Sequence, residues 1–198
     1  MVRKKGKKPI KTAWIFCEGE KTESYYFSKL RAEERLERLR IKVHSSENKD
    51  PVGLVNYSVE FKKHRRDYLS GDLIFGVFDR DLNSNAALAK AKKLAEENGL
   101  SLIFSNPCFE YWLLSHFEYY PQAIEKYLLE RKLGRSLGEY RKNDPELYTK
   151  TRDRIDDAVS NSKQVHEKHL EYGVEILSRE SNPSTLVFDL IEKVNDFR

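Results

Sequence analysis

Gly71-Asp72-Leu73-Ile74-Phe75-Gly76-Val77-Phe78-Asp79-Arg80-Asp81 is the stretch on which the fold of this chain turns. A turn-prone Ser70-Gly71 opens it, an uninterrupted apolar run follows, and it stops on two aspartates one residue apart. A continuous apolar run of this length reads as a strand covered on both faces, the condition of strands in a parallel sheet. Backbone leaving such a strand is still extended, which places Asp79 and Asp81 on one side, close together. Carboxylates held close repel unless a cation or a proton lies between them. Ligands of open α/β sheets bind at the carboxyl ends of the strands. The pair is therefore a candidate metal site, with simple capping of the next loop and helix as the alternative reading.

Upstream, Ile10 to Cys17 reads as a first strand, and it too ends in acids: Glu18-Gly19-Glu20-Lys21-Thr22-Glu23. Thr22 suits the N-cap of the helix that follows, and Glu23 in its first turn complements the helix dipole. Tyr26, Phe27, Leu30, Leu36 and Leu39 give that helix an apolar face, with Glu34 and Arg38 as an i,i+4 pair on the solvent side. A short strand spans Arg40 to His44. Asp50-Pro51 then starts a second helix, on which Leu54, Phe61 and Tyr68 recur at sevens.

Downstream, a third helix runs from about Asn85 to Asn98, with Gly99 at its C′ position. Leu100 to Phe104 is a fourth strand, and Ser105-Asn106-Pro107 opens a helix reaching Phe117. Repeated strand–helix units imply a parallel sheet of about four strands flanked by helices. After Pro121 the strand signal fades, and helices are expected over 122–133, 151–172 and 183–197, the last capped by Asn182 with Pro183 at its first position. The expected organisation is a basic tail (1–11), an α/β core (12–120) and a helical extension packed on it (121–198).

A chain of 198 residues, 39% hydrophobic and 34% charged, has length for one domain with a full core and a heavily charged surface. No apolar run approaches the roughly 18 residues a membrane span needs, and no signal peptide is evident. Cys17 and Cys108 fit no metal or redox spacing, which suits a reducing cytoplasm. The net charge is +4, yet Arg3, Lys4, Lys5, Lys7, Lys8 and Lys11 supply six positives, so the remainder stands at −2. Such an arm suits contact with phosphate backbones, and equally suits nothing more than solubility.

Both acidic clusters fall at the carboxyl end of an expected parallel strand, so Glu18, Glu20, Asp79 and Asp81 can converge on one crevice. A hard cation such as Mg²⁺ takes oxygen ligands of this kind together with substrate phosphate oxygens. Asp79 to Asn85 begins like a calcium loop, but Ser84 and Lys90 stand where glycine and a bidentate glutamate are required. Gly19-Glu20-Lys21-Thr22 lacks the spacing of a phosphate-binding loop. His166 and His169 lie at i,i+3 with no third ligand in view. Glu110, at the carboxyl end of the fourth strand, either serves the helix dipole or reaches the same crevice. Its neighbours Phe109, Tyr111, Trp112 and Phe117 read as core.

Three stretches resemble the RloB-like family: Cys17-Glu18-Gly19-Glu20-Lys21-Thr22-Glu23-Ser24-Tyr25-Tyr26-Phe27, Val77-Phe78-Asp79-Arg80-Asp81, and Ser105-Asn106-Pro107-Cys108-Phe109-Glu110-Tyr111-Trp112-Leu113-Leu114. Asn182-Pro183-Ser184-Thr185 is a weaker fourth. That family is similar to the Toprim domains of topoisomerases, bacterial primases and overcoming-lysogenisation-defect nucleases. Glu18-Gly19 and Asp79-Arg80-Asp81 match the glutamate–glycine and Asp-x-Asp motifs of those domains. The resemblance implies a Toprim-like, Rossmannoid core and a Mg²⁺ (or Mn²⁺) centre, with Asp79 and Asp81 as ligands and Glu18 as ligand or general acid/base. Glu20, Lys21 and Glu110 are additional candidates. It also implies a nuclease acting on DNA or RNA in bacterial anti-phage defence, of abortive-infection type, beside an ATPase partner. The helices after Pro121 have no counterpart in the minimal Toprim unit. A non-catalytic adaptor or sensor working with that ATPase is the competing expectation, and nucleotidyl transfer on a small nucleotide a third.

Overall fold

The computed structural model describes residues 10–19, 21–34, 36, 38–46 and 50–197. The tail residues Arg3, Lys4, Lys5, Lys7 and Lys8, and Glu20, lie outside the described residues. The elements run β1 (Lys11–Cys17), α1 (Thr22–Glu33), β2 (Leu39–Ser45), α2 (Pro51–His64), β3 (Leu73–Asp79), α3 (Asn85–Asn98), β4 (Ser101–Asn106), α4 (Glu110–Ser115), α5 (Lys126–Leu137), α6 (Leu147–Thr151), α7 (Ile155–Glu171), β5 (Ser184–Thr185) and α8 (Val187–Asn195). A 3-10 turn, Arg152–Arg154, joins α6 to α7.

The strands form a five-stranded sheet in the order β2-β1-β3-β4-β5. The first four are mutually parallel and β5 is antiparallel to β4. Ala13, Ile15 and Cys17 of β1 and Phe75 and Val77 of β3 enter one core, with α1 and α4 to α8. Trp14, Phe16, Ile74 and Phe78 enter the other, with α2 and α3. Cover on both faces is why the run 73–78 carries no polar residue. The helices after Pro121 share the first core: Leu129, Leu133, Leu147, Tyr148 and Ala158 pack with the central strands and α1.

Several local expectations hold. Asp50 caps α2, its side chain accepting from Gly53 N at 2.8 Å. Helix α3 has the expected bounds, and Gly99 ends it in a left-handed conformation (φ 65°).

Others are corrected. Helix α1 ends at Glu33, so Leu36 and Leu39 are not on it, and Leu39 opens β2. Glu34 leaves the helix extended, and its carboxylate takes the Tyr148 hydroxyl at 2.5 Å instead of forming a helical pair with Arg38. Lys21, not Thr22, occupies the N-cap position of α1, and the Thr22 hydroxyl donates to Asn143 Oδ1 at 3.1 Å. Helix α2 stops before Tyr68, although that ring still packs on the same core. Helix α4 begins at Glu110, led in by tight turns from Cys108 and Phe109 carbonyls to Tyr111 and Trp112 N–H (both 2.9 Å). Asn182 does not cap the last helix. Its amide brackets Ile124, accepting from N (3.0 Å) and donating to O (3.1 Å). The next residues become β5, tied to β4 by a Ser105–Thr185 hydroxyl bond of 2.9 Å.

Asp72 fastens the amino end of this sheet. Its carboxylate accepts from Thr12 N (2.8 Å), Trp14 Nε1 (2.9 Å) and Leu69 N (3.0 Å). Asp72→Ala strips three donors of their acceptor in a buried setting, so urea unfolding is expected to show a loss of about 2–4 kcal/mol. A loss below about 0.5 kcal/mol would mean that the carboxylate does not hold β1 against β3.

Candidate metal centre

Strand ends build the site. The β1–β3 ladder continues one residue past Cys17, where Glu18 N donates to Val77 O at 2.9 Å. Glu18 Oε2 in turn accepts from Asp79 N at 3.4 Å, which ties the two acidic motifs together. Arg80 N donates to Ser105 O at 2.8 Å, extending β3 against β4. Asp79 follows Phe75 and Val77 in the strand alternation, so its side chain lies on the α1 and α4 side of the sheet.

Here the two aspartates part. Asp81 has turned to a positive φ of 39°, and its exposed carboxylate forms an ion pair with Lys126 at the start of α5. Asp79 instead faces Cys108 and Glu110: one ligating atom from each of the three lies within 4.8 Å of the others. Glu110 is 4% exposed, and its Oε1 accepts the Tyr140 hydroxyl at 2.8 Å. Glu23, in the first turn of α1, extends back over Gly19. A Cβ on Gly19 would stand 2.6 Å from Glu23 Oε2, so glycine here leaves room for that carboxylate.

The result is a cavity of about 380 Å³ with five acids, Glu18, Glu23, Asp79, Asp81 and Glu110, facing three lysines, Lys21, Lys126 and Lys142. The imbalance registers in proton affinities. Burial, opposed by the Asp79 N–H and reinforced by Asp81 and Glu23, pushes the Glu18 carboxyl up to about 7 from an ordinary 4.5. Burial, then Glu23, Glu110 and Asp81, raise Asp79 well above the carboxylate range, and Lys126 offsets this only in part. Glu23 is raised by burial and by Glu110, against the pull of its own backbone N–H and of Lys142. The Cys108 thiol is pushed up by burial and then by Glu110 and Asp79. Carboxylates in excess of their counter-charges hold protons or take a cation.

Of the residues singled out in the sequence, Glu18, Lys21, Asp79, Asp81 and Glu110 line this cavity. Asp81 stands apart from the tight group formed by Asp79 and Glu110. The sequence reading missed Glu23, assigned there only to the helix dipole, and Cys108, whose spacing fits no motif. Each had a signal in its position, since both follow the carboxyl end of a strand. Lys126, Tyr140 and Lys142 come from the helical extension, and nothing in their local sequence points to the site. The pair His166 and His169 serves packing: His166 meets the Phe188 ring at 5.5 Å, and His169 Nε2 lies 2.8 Å from Pro183 O.

A family model described as RloB-like protein matches residues 13–194. No curated protein and no solved structure matches the chain significantly. Among the described residues no helix is long and apolar enough to cross a membrane.

A carboxyl whose pKa is higher in the folded chain than in the unfolded one binds its proton more tightly when folded. The stability it contributes is full below the unfolded value and is lost as pH rises through the folded value. With Glu18 moved from 4.5 to about 7, and Asp79 and Glu23 also raised, metal-free protein should melt at falling temperature as pH rises through that window. Asp79→Asn removes one of the repelling charges and should flatten the slope. Thermal melts in chelator, taken from about pH 5 to about pH 7.5, check this, and a melting temperature that climbs with pH would contradict it.

Proposed function

The chain belongs to the RloB-like family, and from that premise and the acidic cavity we propose that it is a divalent-cation-dependent nuclease of Toprim type. Its substrate is a phosphodiester bond of DNA or RNA, and its setting a bacterial anti-phage defence system with an ATPase partner. The observation that carries this reading is the gathering of carboxylates from the ends of β1, β3 and β4 into one cavity with too few counter-charges.

The donor set fits a cation such as Mg²⁺ or Mn²⁺, which takes carboxylate oxygens and leaves positions for phosphate. Asp79 and Glu110 are the residues to hold it, with Glu23 completing the set. When bound, such a cation supplies Lewis-acid stabilisation of the charge that develops on a phosphoryl group. The remaining work falls to the chain. Glu18 accepts from Asp79 N and lines the same cavity, which places its carboxyl to take and give a proton beside the cation. Tyr140 fixes Glu110 by its hydroxyl bond. Lys21, Lys126 and Lys142 on the cavity wall suit phosphate oxygens, and Lys126 can leave Asp81 for one.

The test is calorimetric titration of Mg²⁺ and Mn²⁺ into wild type, Asp79→Asn/Glu110→Gln and Glu18→Gln, with cleavage of single- and double-stranded DNA and structured RNA followed on gels. The double variant is expected to stay folded and to lose binding and cleavage by at least about 100-fold. Glu18→Gln is expected to keep most of its cation affinity while cleavage falls by about 10²–10⁴-fold. A folded wild type that binds neither cation would overturn the catalytic proposal and favour an adaptor of the partner ATPase.

A further inference from the structure

We propose that Cys108, buried behind the cavity wall that Asp79 and Glu110 form, is a metal ligand together with them, making a mixed oxygen–sulfur site that prefers borderline transition cations, the Mn²⁺-to-Zn²⁺ class, over Mg²⁺. The inference rests on the metal reading above and narrows it.

Geometry is the first support. Cys108 Sγ and one oxygen each from Asp79 and Glu110 lie within 4.8 Å of one another. Ligands at about 2.0–2.3 Å from a shared ion stand roughly 3–4.5 Å apart, so small side-chain shifts bring all three onto one centre. Cys108 is placed there by rigid surroundings. It lies between β4 and α4, its carbonyl closes a turn onto Tyr111 N at 2.9 Å, and the next residue, Phe109, is 1% exposed in the core.

Charge is the second support. Glu110 is 4% exposed and forms no ion pair with a described residue; its hydrogen-bond donors include the Tyr140 hydroxyl and the Cys108 thiol, both neutral. A buried carboxylate without a counter-charge is costly unless something neutralises it. Its side chain is directed at Asp79 and Cys108, and a divalent ion between them meets that need.

Core packing accounts for the burial of Cys108, which is 2% exposed and joins the larger apolar cluster. The thiol donates to the Glu110 carboxylate in the metal-free chain, and a cation that takes the place of that proton keeps sulfur and oxygen together. Cys17 offers the contrast: fully buried in the same cluster, it belongs to no such group of ligating atoms among the described residues. On binding, the thiol loses its proton to solvent and the sulfur lone pair forms the bond to the cation; any proton held by the Asp79 carboxyl leaves with it, so Cys108 adds one proton to those released for each ion bound. Mg²⁺ demands oxygen ligands and gains little from sulfur, whereas the later divalent ions of the first transition row accept it readily.

Cobalt(II) is the probe, added to metal-free wild type, Cys108→Ser and Cys17→Ser of the full chain. A thiolate-to-cobalt charge-transfer band in the near ultraviolet is expected in wild type and Cys17→Ser and absent in Cys108→Ser. Competition should show cobalt displacing Mg²⁺ with at least about 100-fold preference in wild type, narrowed about tenfold or more by Cys108→Ser. X-ray absorption of the cobalt-loaded wild type needs no variant, and should show one sulfur at about 2.3 Å. Cobalt bound with oxygen and nitrogen neighbours alone would overturn the thiol assignment while leaving a carboxylate cation site intact. Failure of folded wild type to bind either cation would overturn both readings. A sulfur-bound cobalt in a protein that cleaves no nucleic acid would uphold Cys108 as ligand and reject the nuclease.

Discussion

Parallel pairing of β1 with β3 determines where Glu18 and Asp79 stand, because it fixes both ends of the two strands at once. At the amino end, Asp72 bonds Thr12 N and Trp14 Nε1 and so sets the register. At the carboxyl end the same register sets Cys17 opposite Val77, so that Glu18 N reaches Val77 O and the Glu18 carboxylate comes within hydrogen-bond reach of Asp79 N. A parallel ladder brings both strands out at one edge, so acids that end separate strands must meet there. The mutual repulsion of these acids is thus a product of topology, and the core has to offset it.

That offset comes from the face on which the acids lie. Beneath the cavity, Tyr26 packs edge-on against Phe27, Phe109 and Tyr148 at centroid distances of 5.5, 5.4 and 5.2 Å. These rings lock α1, the entry to α4 and α6 into one block. The block fixes the first turn of α1, which carries Glu23, and the start of α4, which carries Glu110. Helix starts tolerate acids because unpaired N–H groups point toward them. Such partial compensation does not neutralise the group, and the raised proton affinities of Glu18, Asp79 and Glu23 record what is left over.

Much of this order was legible before any coordinate. The apolar run 73–78, the Asp50-Pro51 start of α2 and the Gly99 stop of α3 are local signals whose physics needs no tertiary partner. Elements were misjudged where a tertiary contact outbids a local pattern. Leu36 and Leu39 continue the helical period of α1, yet Leu39 is claimed by the sheet as the first residue of β2. Asn182-Pro183 looks like a helix start, but its amide is taken by the backbone of Ile124, and Ser184 and Thr185 are taken by the edge of β4. The site divides in the same way. Glu18, Asp79 and Glu110 follow from strand ends alone, whereas Tyr140, Lys126 and Lys142 reach it only because the extension folds back over the first core.

The extension's cations explain why Asp79 and Asp81, one residue apart, have different tasks. An extended strand would send both side chains to one face, but the positive φ at Asp81 breaks that equivalence and turns its carboxylate to the exposed start of α5. Paired with Lys126, Asp81 carries part of its own compensation, while Asp79 remains with Glu110 and Cys108. The Asp-x-Asp motif therefore supplies one acid for the cluster and one that holds a lysine at its rim. Lys126 also lowers the proton affinity of Asp79, so the ion pair at the rim and the buried cluster share one counter-charge.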